Sequence, residues 1–181
     1  SNAFWAPVSI RKRADGSTAA FPHFVMDRGK PGMLTVDHSG QRYLNESSSY
    51  HVFGIRMQEH HQTTPSIPSW LICDAAALKR YGIGMVRPGG KGLAPFLADG
   101  YLKQGATLAD LAQQLNLPGD VLATTVARFN RFADQGVDED FQRGTTDYQR
   151  ANGDATWTGK NPCLGALREG PFYAVALYHG D

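Results

Sequence analysis

Apolar residues recur along this chain in different rhythms, and the changes of rhythm mark its elements. Leu108, Leu111, Ala112 and Leu115 fall at i, i+3, i+4 and i+7, which predicts a helix over 108–115 with one buried face. Thr107, with Asp110 three residues on, opens it in the manner of a capping box. Pro118 fits the first turn of a second helix over 119–134, whose periodic positions are Leu122, Val126, Phe129 and Ala133 and which Gln135-Gly136 ends. An earlier helix is predicted over 49–62: Tyr50, Phe53 and Met57 share a face, and Asn45-Glu46-Ser47-Ser48-Ser49 offers cap chemistry ahead of it. Asp74 starts a short helix through Tyr81.

Strand composition marks 33–36, 41–44, 70–73 and 172–177, the first two joined by a turn over Asp37-His38-Ser39-Gly40. Residues 4–32 read as irregular, because Pro7, Pro22 and Pro31 and the Asp15-Gly16 turn interrupt them. The stretches 82–100 and 137–171 read as loops. No repeat is visible and no strand–helix–strand rhythm develops. The expected fold class is therefore α+β, a small mixed sheet with covering helices and long loops.

Composition narrows the function. The 181 residues are 41% hydrophobic and 19% charged, which excludes a disordered chain or a coiled coil and allows one domain with a sizeable core. Eighteen basic against seventeen acidic residues leave a net charge of +1, so no bulk field draws nucleic acid or an anionic membrane. No apolar run approaches the ~20 residues of a membrane span. Cys73 and Cys163 stand far apart and in no metal or disulfide spacing, so no metal site is expected and a reducing cytoplasm is the default compartment.

Several motifs fail on inspection. In the glycine-rich run from Gly82 to Gly92, Arg87 occupies the position of the third fingerprint glycine, and Gly92 that of the Ser or Thr of a phosphate-binding loop. His60 and His61 are adjacent and so point to different helix faces. Glu59, Asp138, Glu139 and Asp140 read as surface or cap carboxylates, and no Gly-x-Ser-x-Gly elbow is present. Asn45, Glu46 and Tyr50 remain. A turn delivers a carboxylate and a phenol to the mouth of one helix, where they serve either as a site or as a cap and a core residue.

The order of segments carries a resemblance. Phe4-Trp5-x-Pro7, Ala20-Phe21-Pro22-His23-Phe24, Lys30-Pro31-Gly32, Val36-Asp37-x-x-Gly40-x-Arg42-Tyr43-x-Asn45-Glu46 and Tyr50 resemble the 3-ketosteroid Δ1-dehydrogenase family, within the fumarate reductase/succinate dehydrogenase flavoprotein superfamily. Gly100-Tyr101-Leu102, Thr125-Val126-x-x-Phe129-Asn130, Asp140-Phe141-x-Arg143-Gly144 and Pro171-Phe172-Tyr173-Ala174 continue it. The resemblance implies that residues 4–181 are the substrate-binding domain of a longer FAD-dependent dehydrogenase. Ser1-Asn2-Ala3 is then an expression-tag remnant. It further implies that FAD is held by another domain of the same parent chain and not by this one, which would leave the isolated chain colourless and inactive. Tyr50 takes the role of the base that removes a proton beside the ketone, while Phe21, Phe24, Ile83 and Met85 wall an apolar slot for a steroid-like ketone. No residue here is assigned to the cofactor. Two other readings stay open: a dicarboxylate domain of the fumarate-reductase kind using Arg56 and His51, and a non-enzymatic binding module.

Overall fold

Six strands build one sheet, buried on both faces along β3 and β4, seen in a computed structural model that describes residues 5–24 and 27–180. The expected tag remnant, Phe4 and the final residue lie outside the described residues. The strands are β1 (Ala6–Lys12), β2 (Thr18–Pro22), β3 (Met33–Val36), β4 (Ser69–Cys73), β5 (Lys103–Gly105) and β6 (Phe172–Gly180). Their order is β2-β1-β6-β4-β3, with β5 also pairing with β6. Each pairing is antiparallel, as in Val8 with Tyr178 and Ile72 with Ala174.

Alternate side chains of a strand point to opposite faces. Met33, Leu71, Cys73 and Val175 therefore enter one apolar cluster, together with Phe53 and Met57 of α1 (Tyr50–His61) and Ala77 and Leu78 of α2 (Ala75–Tyr81). Leu34, Ile72 and Ala174 enter the other cluster. There they meet Leu111 and Leu115 of α4 (Leu108–Leu115) and Leu122, Val126 and Phe129 of α5 (Gly119–Gln135). The result is a three-layer α+β fold with a core on each side of the sheet. Burying one such Leu or Phe contributes roughly 1.5–3 kcal/mol.

The helices fall where apolar spacing and caps put them. Asp74 accepts the Ala77 N–H at the start of α2, and Thr107 accepts that of Asp110 at the start of α4. Four expectations are corrected, the first being the mixed sheet: its pairings are antiparallel throughout the described residues. Residues 4–32 are not irregular: β1 and β2 form a hairpin, with Asp15-Gly16 in its turn and Pro7 and Pro22 near strand ends, where they cost little ladder. Residues 41–44 do not form a strand. The turn closes with the Asp37 N–H on the Gln41 carbonyl, but Arg42 then turns to Glu46 and Asp138 and Tyr43 stacks on His60. The loops over 82–100 and 137–171 each contain a short helix, α3 (Ala94–Ala98) and α6 (Asp147–Ala151). The second is capped by Thr146 in a Thr-x-x-Gln pattern. Finally, the three-residue strand β5 has no period of its own to announce it. Among the described residues no helix is long and apolar enough to cross a membrane.

Candidate active site

Tyr50 is the first residue of α1. Ser49 accepts the Val52 N–H and caps the helix, so the cap is the last of the five polar residues ahead of it. Phe53 and Met57, on the same helical face, are fully buried. At Gly54 the helix lies so close to the chain entering β1 that a Cβ would stand 3.2 Å from the Trp5 carbonyl carbon. Tyr50 itself is half-buried, and its ring meets that of half-buried Phe24 edge to face, centroids 5.0 Å apart at 66°.

The other expected slot residues are spread over two segments. Phe21 lies on β2, opposite Ser9, with its ring 5.1 Å from that of His23 at 71°. Met85 is half-buried, and its N–H donates to the Tyr101 hydroxyl over 3.0 Å. Ile83 has 1% of its surface exposed and sits in the core cluster, so it does not wall a slot as expected. Tyr50 and Phe24 are thus in contact, whereas Phe21 and Met85 are joined through a polar network.

That network is buried. Ser9 Oγ is 2.7 Å from His23 Nε2 and 2.6 Å from the Tyr101 hydroxyl, and His23 Nδ1 is 2.9 Å from Asp27 Oδ2. Asp27 also accepts the N–H groups of Arg28 and Gly84, each at 2.7 Å. One proton arrangement satisfies every atom. Tyr101 donates to Ser9, Ser9 to His23 Nε2 and His23 Nδ1 to Asp27, while Tyr101 accepts the Met85 N–H. Burial alone would raise the Asp27 carboxyl, but the His23 ring and the two N–H donors hold it below its ordinary range. Burial raises the Tyr101 phenol. Ser9, His23 and Asp27 repeat the order of groups in a hydrolase triad. They are 1%, 0% and 3% exposed, however, and Ser9 is bonded to Tyr101, so no acyl substrate can reach the hydroxyl. Gly84 is required here: its φ is +55°, and a Cβ would lie 2.2 Å from the Tyr101 hydroxyl.

Glu46 does not cap α1, and Asp138, while it does cap a turn through the Asp140 and Phe141 N–H groups, is not at the surface. Glu46, fully buried, takes Arg42 Nη2 at 2.6 Å and the Thr35 N–H at 3.0 Å, and lies 3.4 Å from Arg143 Nη1. Asp138 takes Arg42 Nη2 at 2.9 Å, and Arg42 together with backbone N–H donors outweighs burial to hold its carboxyl low. By contrast, Arg56 and Glu59 form an exposed pair. His60 and His61 do diverge: His60 binds Asp37, and His61 accepts the Ser66 N–H. Residue spacing alone does not reveal Ser9, His23, Asp27 or Tyr101. The one local signal was the four-residue step from His23 to Asp27.

Comparison with known proteins adds four findings. The FAD binding domain family model matches residues 1–181. A 4-oxocyclohex-2-ene-1-carboxylate 5-dehydrogenase of Sinomonas cyclohexanicum is 39% identical over 98% of this chain and 30% of its own length. A 3-oxosteroid 1-dehydrogenase of Mycolicibacterium smegmatis is 39% identical over 88% of this chain and 29% of its own. The crystal structure of 3-ketosteroid Δ1-dehydrogenase from Sterolibacterium denitrificans with 1,4-androstadiene-3,17-dione superposes with a TM-score of 0.89 and 32% identity, over 99% of this chain and 32% of that one. The chain thus spans less than a third of each relative. The family match overturns the expectation that FAD is held wholly outside this chain: all 181 residues fall within the FAD binding domain model, so flavin binding is indicated here. The missing glycine fingerprint misled because it marks one way of approaching a pyrophosphate, not the whole pattern of such a domain.

Proposed function

This chain belongs to the FAD binding domain family, and on that premise we propose that it supplies the ketone-binding and proton-abstracting surface of a flavin-dependent dehydrogenase that desaturates a ring ketone, a 3-oxo steroid or a smaller cyclohexanone. The observation that carries this reading is the Phe24–Tyr50 pair. A phenol is fixed at the capped start of a helix, against an aromatic neighbour, with Phe53 buried one turn on. Flat apolar faces with few polar groups suit a fused-ring or single-ring ketone, and they also suit the flat ring of a flavin alongside. FAD, when bound, supplies the hydride acceptor for the desaturation. Tyr50 takes the proton from the carbon beside the carbonyl, Phe24 holds the ring face, and Phe21 and Met85 flank them on segments joined through His23, Ser9 and Tyr101. Names among the relatives support both substrate sizes.

The test is turnover of the intact protein that carries this chain, with a dye as electron acceptor. A 3-oxo steroid, a 4-oxocyclohexanecarboxylate and succinate are offered separately. Desaturation next to the carbonyl of either ketone is the expected result. Turnover of succinate alone would overturn the reading in favour of a dicarboxylate site.

A further inference from the structure

Arg28 is among the most deeply buried side chains of the molecule, 1% exposed, and no step proposed above uses it. Among the described residues its guanidinium makes no hydrogen-bonded pair with a carboxylate. Each of its bonds goes to a backbone carbonyl instead. Nε donates to His23 at 2.7 Å, Nη2 to Phe24, and Nη1 to Glu46 at 2.6 Å and Ser48 at 2.5 Å. The same group lies over the Phe53 ring, 5.0 Å from its centroid. One rigid fork therefore grips three things together: the backbone that carries Phe24, the segment that leads into α1, and the helix turn just after Tyr50. Burial lowers the guanidinium to about 10, an effect that Asp27 opposes, so it stays charged at neutral pH.

Resting on the reading of Tyr50 as the base, we infer that Arg28 is a positioning residue for the reaction: it sets the separation of Phe24 and Tyr50 and so holds the phenol at the α-carbon of the ketone. Other groups would serve a purely structural closure as well. Four carbonyls from two segments held by one planar cation is an arrangement that fixes relative position, because the donors of a guanidinium cannot move independently. A lysine would keep the charge, but its three donors sit at one point and cannot span both segments.

The experiment is a double-mutant cycle on the intact protein, with kcat as the readout for wild type, Arg28→Lys, Tyr50→Phe and the double variant. With Tyr50 present, Arg28→Lys is expected to lower kcat by about 10²-fold, the size of effect that a misplacement near 1 Å produces. With Phe at position 50 the same change should cost less than about 3-fold, because there is no longer a phenol to misplace. An equal loss in both backgrounds would overturn the inference and leave Arg28 a structural residue, with the role of Tyr50 intact. If Tyr50→Phe itself left kcat unchanged, the functional reading would fail instead. Should Arg28→Lys not accumulate as folded protein, the cycle is run with Ser48→Gly, which loosens the gripped segment while keeping the guanidinium. The same coupling supports the inference and the same additivity overturns it.

Discussion

On one face of the sheet, α4 and α5 press Leu111, Leu122 and Val126 against Ile72 and Ala174. At the approach to Tyr50, over residues 23–24 and 27–50, the chain is held by Arg28, His23, Asp27 and Glu46, all of them buried. The first region is held by area removed from water, which tolerates small shifts. The second is held by charges and hydrogen bonds that are stabilising only when every partner is in place, because a buried ion left unpaired bears its full desolvation cost. The difference suits a division of labour. The apolar layer carries stability, and the polar segment fixes the backbone that leads to Tyr50.

Three changes probe that contrast. Glu46→Ala leaves Arg42 and Arg143 buried without their shared carboxylate, and should destabilise the chain by about 3–5 kcal/mol in urea unfolding. A cost below about 1 kcal/mol would erase the distinction between the regions. Leu122→Ala, at a fully buried position of α5, should cost about 2–5 kcal/mol while leaving the kcat of the intact protein within a few-fold. A large loss of kcat there would show that the two regions are coupled. The smallest effect is in pH. The Asp27 carboxyl titrates at 3.8 when unfolded and lower when folded, so its contribution is present above about pH 4 and lost as pH falls through the folded value. Unfolding midpoints measured from pH 6 to pH 2 should fall less steeply for Asp27→Asn than for wild type. Equal slopes would remove Asp27 from the account.

The same contrast explains what could be read from the chain beforehand. Period and caps identify α1, α2, α4 and α5 because their apolar faces do the folding and Ser49, Asp74 and Thr107 start three of them. The β1–β2 hairpin was missed because Pro7 and Pro22 were weighed as breakers when they stand near strand ends. The strand expected over 41–44 was lost because Arg42 and Tyr43 have stronger tertiary partners than a neighbouring strand. At the site, Tyr50 stood out at the start of its helix and took its role, with Phe24 as neighbour, from the family resemblance; the two do touch, while Ile83 proved to be core. Ser9, His23, Asp27, Arg28 and Tyr101 come from three separate stretches of sequence. No spacing rule joins a serine to a tyrosine 92 residues away, so their network is visible only once the chain is folded.

The central claim is that Tyr50 does chemistry and not packing, and comparing Tyr50→Phe with wild type in the intact protein tests it most directly. Only a hydroxyl is removed from a half-buried ring that keeps its contact with Phe24, so the unfolding free energy should fall by no more than about 1.5 kcal/mol, the worth of one hydrogen bond. Ketone turnover should fall by roughly 10²–10⁴-fold, as for loss of a general base. Turnover within a few-fold of wild type, with the fold intact, would make Tyr50 a packing residue and contradict the account.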